Sequence, residues 1–187
     1  MTYEMDIAGL KRELPLCRVT DELYIGAFVM FGDVELTVHC AAELLKRAPE
    51  YDYLIAPEAK AIPLLYEMAR QSGAEKYFLA RKGAKAYMTG VFEVEVRSIT
   101  TMHIQKLVID TADAELIKGR RILIIDDVIS TGETGESLHA VEELVNKAGG
   151  IIAGRMAVLA EGDAYDRKDI ITLAKLPLFN ADGSVRD

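Results

Sequence analysis

The stretch Arg121–Thr134, RILIIDDVISTGET, constrains the fold more than any other part of the chain. Ile122, Leu123, Ile124, Ile125 and Val128 are apolar and mostly β-branched, the pattern of a strand buried on both faces of a parallel sheet. Asp126 and Asp127 stand where that strand is expected to end, and Ser130, Thr131, Gly132 and Thr134 follow as a loop of small hydroxyl residues and glycine. A helical pattern begins at about Gly135. Such a strand–loop–helix junction forms the edge of an α/β sheet at which ligands bind. The loop can offer backbone N–H groups and hydroxyls to a phosphate at a helix start. The two carboxylates repel that phosphate, but they suit vicinal hydroxyls and the neighbourhood of a divalent cation. A ribose carrying a phosphate satisfies both halves. The structural alternative is a plain strand–turn–helix with an aspartate cap.

The rest of the chain is compatible with one domain. Its 187 residues are enough for a sheet covered by helices on both sides. Half the residues are hydrophobic and the mean hydropathy is slightly positive, which excludes extensive disorder. Cys17 and Cys40 lack metal-ligand spacing, and no secretory signal is evident, so a reducing, cytoplasmic setting is expected. No apolar run is long enough to span a membrane. A formal net charge of −8 argues against general nucleic-acid binding.

Helical and strand patterns alternate along the chain. The segment to about Thr37 reads as irregular, with a strand near Tyr24–Phe31. Helices are expected over Val38–Arg47, Ile62–Gln71 and Leu138–Ala148, the last two closed by glycine. Strands are expected at Tyr53–Ala56, Lys76–Ala80, Ile122–Ile125, Ile151–Leu159 and Ile170–Phe179, the last broken by Pro177. Between Tyr87 and Asp110, VFEVEV alternates with period two and QKLVID can return as its partner, leaving Ser98–His103 as the tip. Alternating strands and helices call for a parallel sheet with right-handed crossovers.

On IIDDVISTGET the chain resembles the type I phosphoribosyltransferases, whose signature for 5-phosphoribosyl-1-diphosphate (PRPP) is a hydrophobic strand, an acidic pair and a TG-T-type loop. The resemblance implies an α/β fold: a central, mostly parallel sheet flanked by helices, an inserted mobile β-hairpin, and a small hood from about residues 1–36 and 160–187, all in one domain, 1–187. It implies that Asp126 and Asp127 meet the ribose 2′- and 3′-hydroxyls. Ser130, Thr131, Gly132, Glu133 and Thr134 would wrap the 5′-phosphate. Glu133 is expected to point outward while its backbone N–H serves the phosphate.

Four further clusters follow the family's pattern. Glu58, Ala59 and Lys60 resemble its diphosphate loop, where an unusual, often cis, peptide is common; the plain alternative is a βα turn with a solvated lysine. Arg81, Lys82 and Lys85 stand where purine members bind diphosphate, partly across a dimer interface; the alternative is a solvated charge run. The hairpin tip corresponds to a loop that closes over PRPP and excludes water. Adenine-type members carry a glutamate there; here Thr100 or Thr101 takes its place, and His103 is the nearest group that titrates near neutrality. Val29, Met30 and Phe31 resemble the segment that packs an aromatic on the base, with Gly32 in place of an arginine and Val128 and Ile129 nearby. Phe31 also reads as ordinary core.

Both ends of the chain are similar to adenine-type members, including Leu159–Gly162 and Leu176–Phe179. The implied reaction is transfer of phosphoribose from PRPP to a purine, adenine first, with release of diphosphate. Magnesium would be held mainly by PRPP oxygens, and the implied assembly is a homodimer. Xanthine, hypoxanthine, guanine and orotate remain as other bases. A non-catalytic PRPP-sensing regulator remains as the reading from another class, although no basic stripe for nucleic acid is evident.

Overall fold

The computed structural model describes residues 1–97, 104–130 and 133–186. It opens with β1 (Thr2–Ile7), β2 (Leu10–Arg18) and β3 (Tyr24–Gly26), followed by α1 (Val34–Leu45), β4 (Tyr53–Pro57), α2 (Ile62–Ser72) and β5 (Phe78–Ala80). A hairpin, β6 (Val91–Arg97) and β7 (Ile104–Asp110), leads to α3 (Thr111–Ile117), β8 (Arg121–Ile129) and α4 (Glu133–Lys147). The chain closes with β9 (Ile151–Glu161), a 3₁₀ turn (Gly162–Asp166), β10 (Ile171–Leu176), β11 (Leu178–Phe179) and β12 (Val185–Arg186).

The central sheet has the order β10-β9-β8-β4-β5, and every neighbouring pair in it is parallel. Its strands read as continuous apolar runs because both faces are covered. Leu123 and Ile125 pack with Leu54, Ala56 and the residues of α1 and α2, including Leu44 and Leu64. Ile122 and Ile124 point the other way, to Val141 and Leu144 of α4. This is the period-two alternation of a strand. Each fully buried Leu or Ile contributes roughly 1.5–3 kcal/mol.

Helix ends follow local chemistry. Asp33 caps α1 by accepting a 3.0 Å hydrogen bond from the Leu36 N–H. The Arg12 guanidinium on β2 holds the same carboxylate at 2.6 Å, which ties the terminal strands to the core. Pro63 stands at the start of α2, and Gly73, at φ 71°, closes that helix in the left-handed region.

The terminal segments form a hood, a second sheet of order β1-β2-β3-β11-β12 that joins the two ends of the chain. The N-terminal segment is therefore a β-hairpin and not irregular. Its tight turn places both Ala8 (φ 55°) and Gly9 (φ 83°) at positive φ, and Ala-Gly carries none of the Asn-Gly or Asp-Gly signal that marks such turns in a sequence. The strand expected at Tyr24–Phe31 ends at Gly26, and α1 starts four residues before the expected Val38 because Asp33 supplies a cap. Helix α3 was not foreseen: it is seven residues long and is started by Asp110, whose carboxylate accepts from the Ala112 N–H. The hairpin β6–β7 pairs in the expected register, Val91 opposite Asp110 through Arg97 opposite Ile104.

Candidate active site

The C-terminal ends of β9, β8 and β4, the end of β10, and the hood enclose a cleft of about 680 Å³. Parallel α/β sheets bind ligands at this edge, where strands stop and loops begin. Strand β8 does not end at the acidic pair. It runs on to Ile129, and Asp126, Val128 and Ile129 keep their register against Ala157, Leu159 and Ala160 of β9. Asp126 and Asp127 are thus held by a strand, only 5% and 3% exposed, and both line the cleft.

The pair is costly as two charges. Asp126 Oδ1 accepts a 2.9 Å hydrogen bond from the Asp127 N–H, whereas Asp127 Oδ2 has no hydrogen-bond partner among the described residues. Burial drives the Asp126 carboxyl well above its ordinary range, and the neighbouring Asp127 charge adds to that. Burial raises Asp127 as well, while the Lys60 ammonium pulls both downward. An orphaned buried acceptor beside a second carboxylate is a site for hydroxyl donors or a cation.

On the β4 side the chain turns through Glu58–Ala59, a cis peptide, and Glu58, Ala59 and Lys60 all line the cleft. Glu58 is engaged with the basic segment after β5: it accepts from Arg81 Nη2 and from the Lys82 N–H, both at 3.2 Å. Arg81 also donates to the Tyr87 hydroxyl, and its Nε is buried without a hydrogen-bond partner among the described residues. Its backbone pairs with Val108 of β7 (2.9 and 2.8 Å), which fastens the hairpin to the sheet edge. Lys82 lines the cleft; Arg81 and Lys85 do not. The predicted basic trio is therefore split, because Glu58 already draws Arg81 into an ion pair.

The proposed base residues separate in a similar way. Val29 and Val128 line the cleft, Met30 is buried at 1% exposure, and Ile129 lies fully buried in the core. Phe31 is 53% exposed and is not a lining residue, whereas Phe28, three residues earlier, is. The cause is a turn in which the Asp33 N–H bonds the Met30 carbonyl at 3.1 Å and Gly32 adopts φ 85°, taking Phe31 out of the extended path. Ser130 is buried at the end of β8. Glu133 and Thr134 stand in the first turn of α4. Thr100, Thr101, His103, Thr131 and Gly132 lie outside the described residues.

Sequence reasoning passed over Phe28, Lys106 and Glu161, all of which line the cleft. Lys106 on β7 is paired with Glu93 at 2.6 Å. Glu161 is the last residue of β9, and burial raises its carboxyl, with Lys60 opposing. Its position at a strand end, within the Leu159–Gly162 segment that resembles adenine-type members, was the signal available. Among the described residues no group of three or more His, Cys, Asp or Glu side chains is placed to hold a metal. A cation at Asp126 and Asp127 would have to draw most of its oxygens from a ligand.

A family model, the phosphoribosyl transferase domain, matches residues 37–177. An adenine phosphoribosyltransferase of Thermotoga sp. strain RQ2 is 34% identical over 113 residues, which are 60% of this chain and 60% of that protein. The match thus spans about three fifths of that relative's length. An adenine phosphoribosyltransferase of Kosmotoga olearia is 30% identical over 148 residues, 74% of this chain and 76% of the relative. The crystal structure of the adenine phosphoribosyltransferase of Thermoanaerobacter pseudethanolicus superposes with a TM-score of 0.63 at 22% identity, covering 94% of this chain and 96% of the other. With three quarters of its length inside that one model, the chain belongs to the phosphoribosyl transferase domain family.

Proposed function

We propose that this protein transfers phosphoribose from PRPP to adenine, forming the nucleoside monophosphate and diphosphate. The observation that carries the reading is the buried Asp126–Asp127 pair with its orphaned oxygen, set between the cations Lys60 and Lys82 and a hood wall containing Phe28. Relatives that share this domain are adenine phosphoribosyltransferases.

In this reading the carboxylates accept hydrogen bonds from the ribose 2′- and 3′-hydroxyls, and Ser130–Thr134 with the start of α4 hold the 5′-phosphate. Lys60 and Lys82 take the diphosphate, helped by backbone groups at Glu58 and Ala59. As the C1–oxygen bond breaks, negative charge grows on the diphosphate and is met by groups already in place. Magnesium, when bound with PRPP, supplies further charge neutralisation on the leaving group. The base stacks at Phe28 with Val29 and Val128 alongside, and a ring nitrogen attacks C1, its N–H proton passing to the departing diphosphate or to solvent. In this reading the segment between β6 and β7, which contains Thr100 and His103 in the sequence, closes over the substrate.

The same reading includes a homodimer, in which Lys85, outside this chain's own cleft lining, reaches the partner's diphosphate. It also includes a cytoplasmic location, consistent with the two free cysteines. The test is nucleotide formation from PRPP and magnesium with adenine, hypoxanthine, guanine, xanthine and orotate in parallel. A dominant signal with adenine is expected. Binding of PRPP with no turnover of any base would favour a PRPP-sensing protein on the same fold.

A further inference from the structure

The strand order β10-β9-β8-β4-β5 decides what can lie beside what along the cleft. The acidic pair is on the middle strand, β8; Lys60 follows β4 and Lys82 follows β5 on one side of it. With sugar at the pair and diphosphate at the lysines, the acceptor base is left with the other side, above β9 and β10 and beneath Gly26, Ala27 and Phe28 of the hood. Most of the wall there is apolar or backbone. Among the described residues its carboxylate is Glu161, paired in register with Leu176.

Glu161 is poorly placed to serve the sugar. Asp126 is level with Ala157, and Glu161 stands four residues further along β9, about 13 Å at strand rise. Its carboxylate makes no hydrogen bond or ion pair among the described residues. Half-buried and, when ionised, acceptor-only, it is suited to a hydrogen-bond donor on whatever fills the cleft. We infer that Glu161 determines base specificity by accepting a hydrogen from an exocyclic amino group of the purine. The inference rests on the phosphoribosyl transfer proposed above. A 6-amino group satisfies the carboxylate, whereas a 6-oxo group facing it sets lone pairs against a negative charge and leaves that charge without a donor. The 2-amino group of guanine offers the same chemistry from another ring edge.

The experiment compares kcat/KM for adenine, guanine, hypoxanthine and xanthine, together with KM for PRPP, in the wild-type protein and Glu161→Gln. The wild type is expected to favour an amino-purine over hypoxanthine by about 100-fold or more, the scale of losing a hydrogen bond to a charged group. In Glu161→Gln the amide can turn its NH₂ to a 6-oxo group, so that preference should fall by about 10-fold or more while KM for PRPP holds. Loss confined to guanine would support the inference with the 2-amino group as the feature read. An unchanged preference overturns it. So does a raised KM for PRPP without a change in preference, which would make Glu161 a partner of Lys60. If the wild type turns over no base, phosphoribosyl transfer fails, and calorimetric affinities for the 6-amino and 6-oxo purine nucleoside monophosphates in both proteins decide Glu161 separately.

Discussion

Asp126→Asn should make the protein more stable while removing its activity. Asp126 is 5% exposed beside the equally buried Asp127, and burial is the main cause of its raised pKa, followed by the neighbouring charge. The asparagine keeps the one local bond, because its Oδ1 can still accept from the Asp127 N–H. What it removes is a desolvated negative charge. Holding a carboxylate out of water costs on the order of several kcal/mol even after relaxation, and a neutral group of the same shape avoids part of that cost. Taking about 2 kcal/mol, at roughly 2–4 °C per kcal/mol for a chain of this size, melting should rise by about 4–8 °C. The pH dependence has a definite sign. A carboxyl whose folded pKa is raised is protonated in both states below the unfolded value near 3.8, so it has no effect there. As pH rises above that value the unfolded chain ionises first, and wild-type stability falls until the folded group has also ionised. The advantage of the variant should therefore be small at pH 3, below the unfolded value, and larger at pH 8. Scanning calorimetry at both pH values checks it. A lower melting temperature at pH 8, or a gain that does not change with pH, would refute the desolvation argument.

Asp33→Ala should cost about 1–2 kcal/mol through loss of the α1 cap, with a smaller share from the partly exposed Arg12 pair, read as a lower midpoint in urea unfolding. Glu67→Gln should cost about 1–2 kcal/mol at pH 7, because Arg70 and Gln71 hold that buried carboxylate and lower its pKa to about 2. A depressed acid stabilises above its unfolded pKa near 4.5 and loses that contribution as pH falls towards 2, so the gap between wild type and Glu67→Gln should close on acidification.

The central sheet was legible because its strands are covered on both faces and therefore carry unbroken apolar runs, β8 above all. Helix α2 was legible because Pro63 and Gly73 mark its ends. The hood was not, since β1 and β2 alternate buried and exposed residues weakly and turn on Ala8–Gly9. At the site, the acidic pair could be read because two carboxylates interrupt an apolar strand. Phe28 and Phe31 could not be told apart in the sequence: both are aromatic and three residues apart, and only the turn at Gly32 separates the lining residue from the exposed one. Arg81 looked like a free cation because its partner, Glu58, is 23 residues away in sequence. Glu161 acquires meaning only once strand order places it across the acidic pair from the lysines.

The most direct test is AMP formation from adenine, PRPP and magnesium by the wild-type protein and by the Asp126→Asn, Asp127→Asn double variant, with circular dichroism on both. Turnover in the wild type and none in a fully folded double variant is the predicted result. Undiminished turnover in the folded variant would contradict the assignment of the acidic pair to the ribose of PRPP.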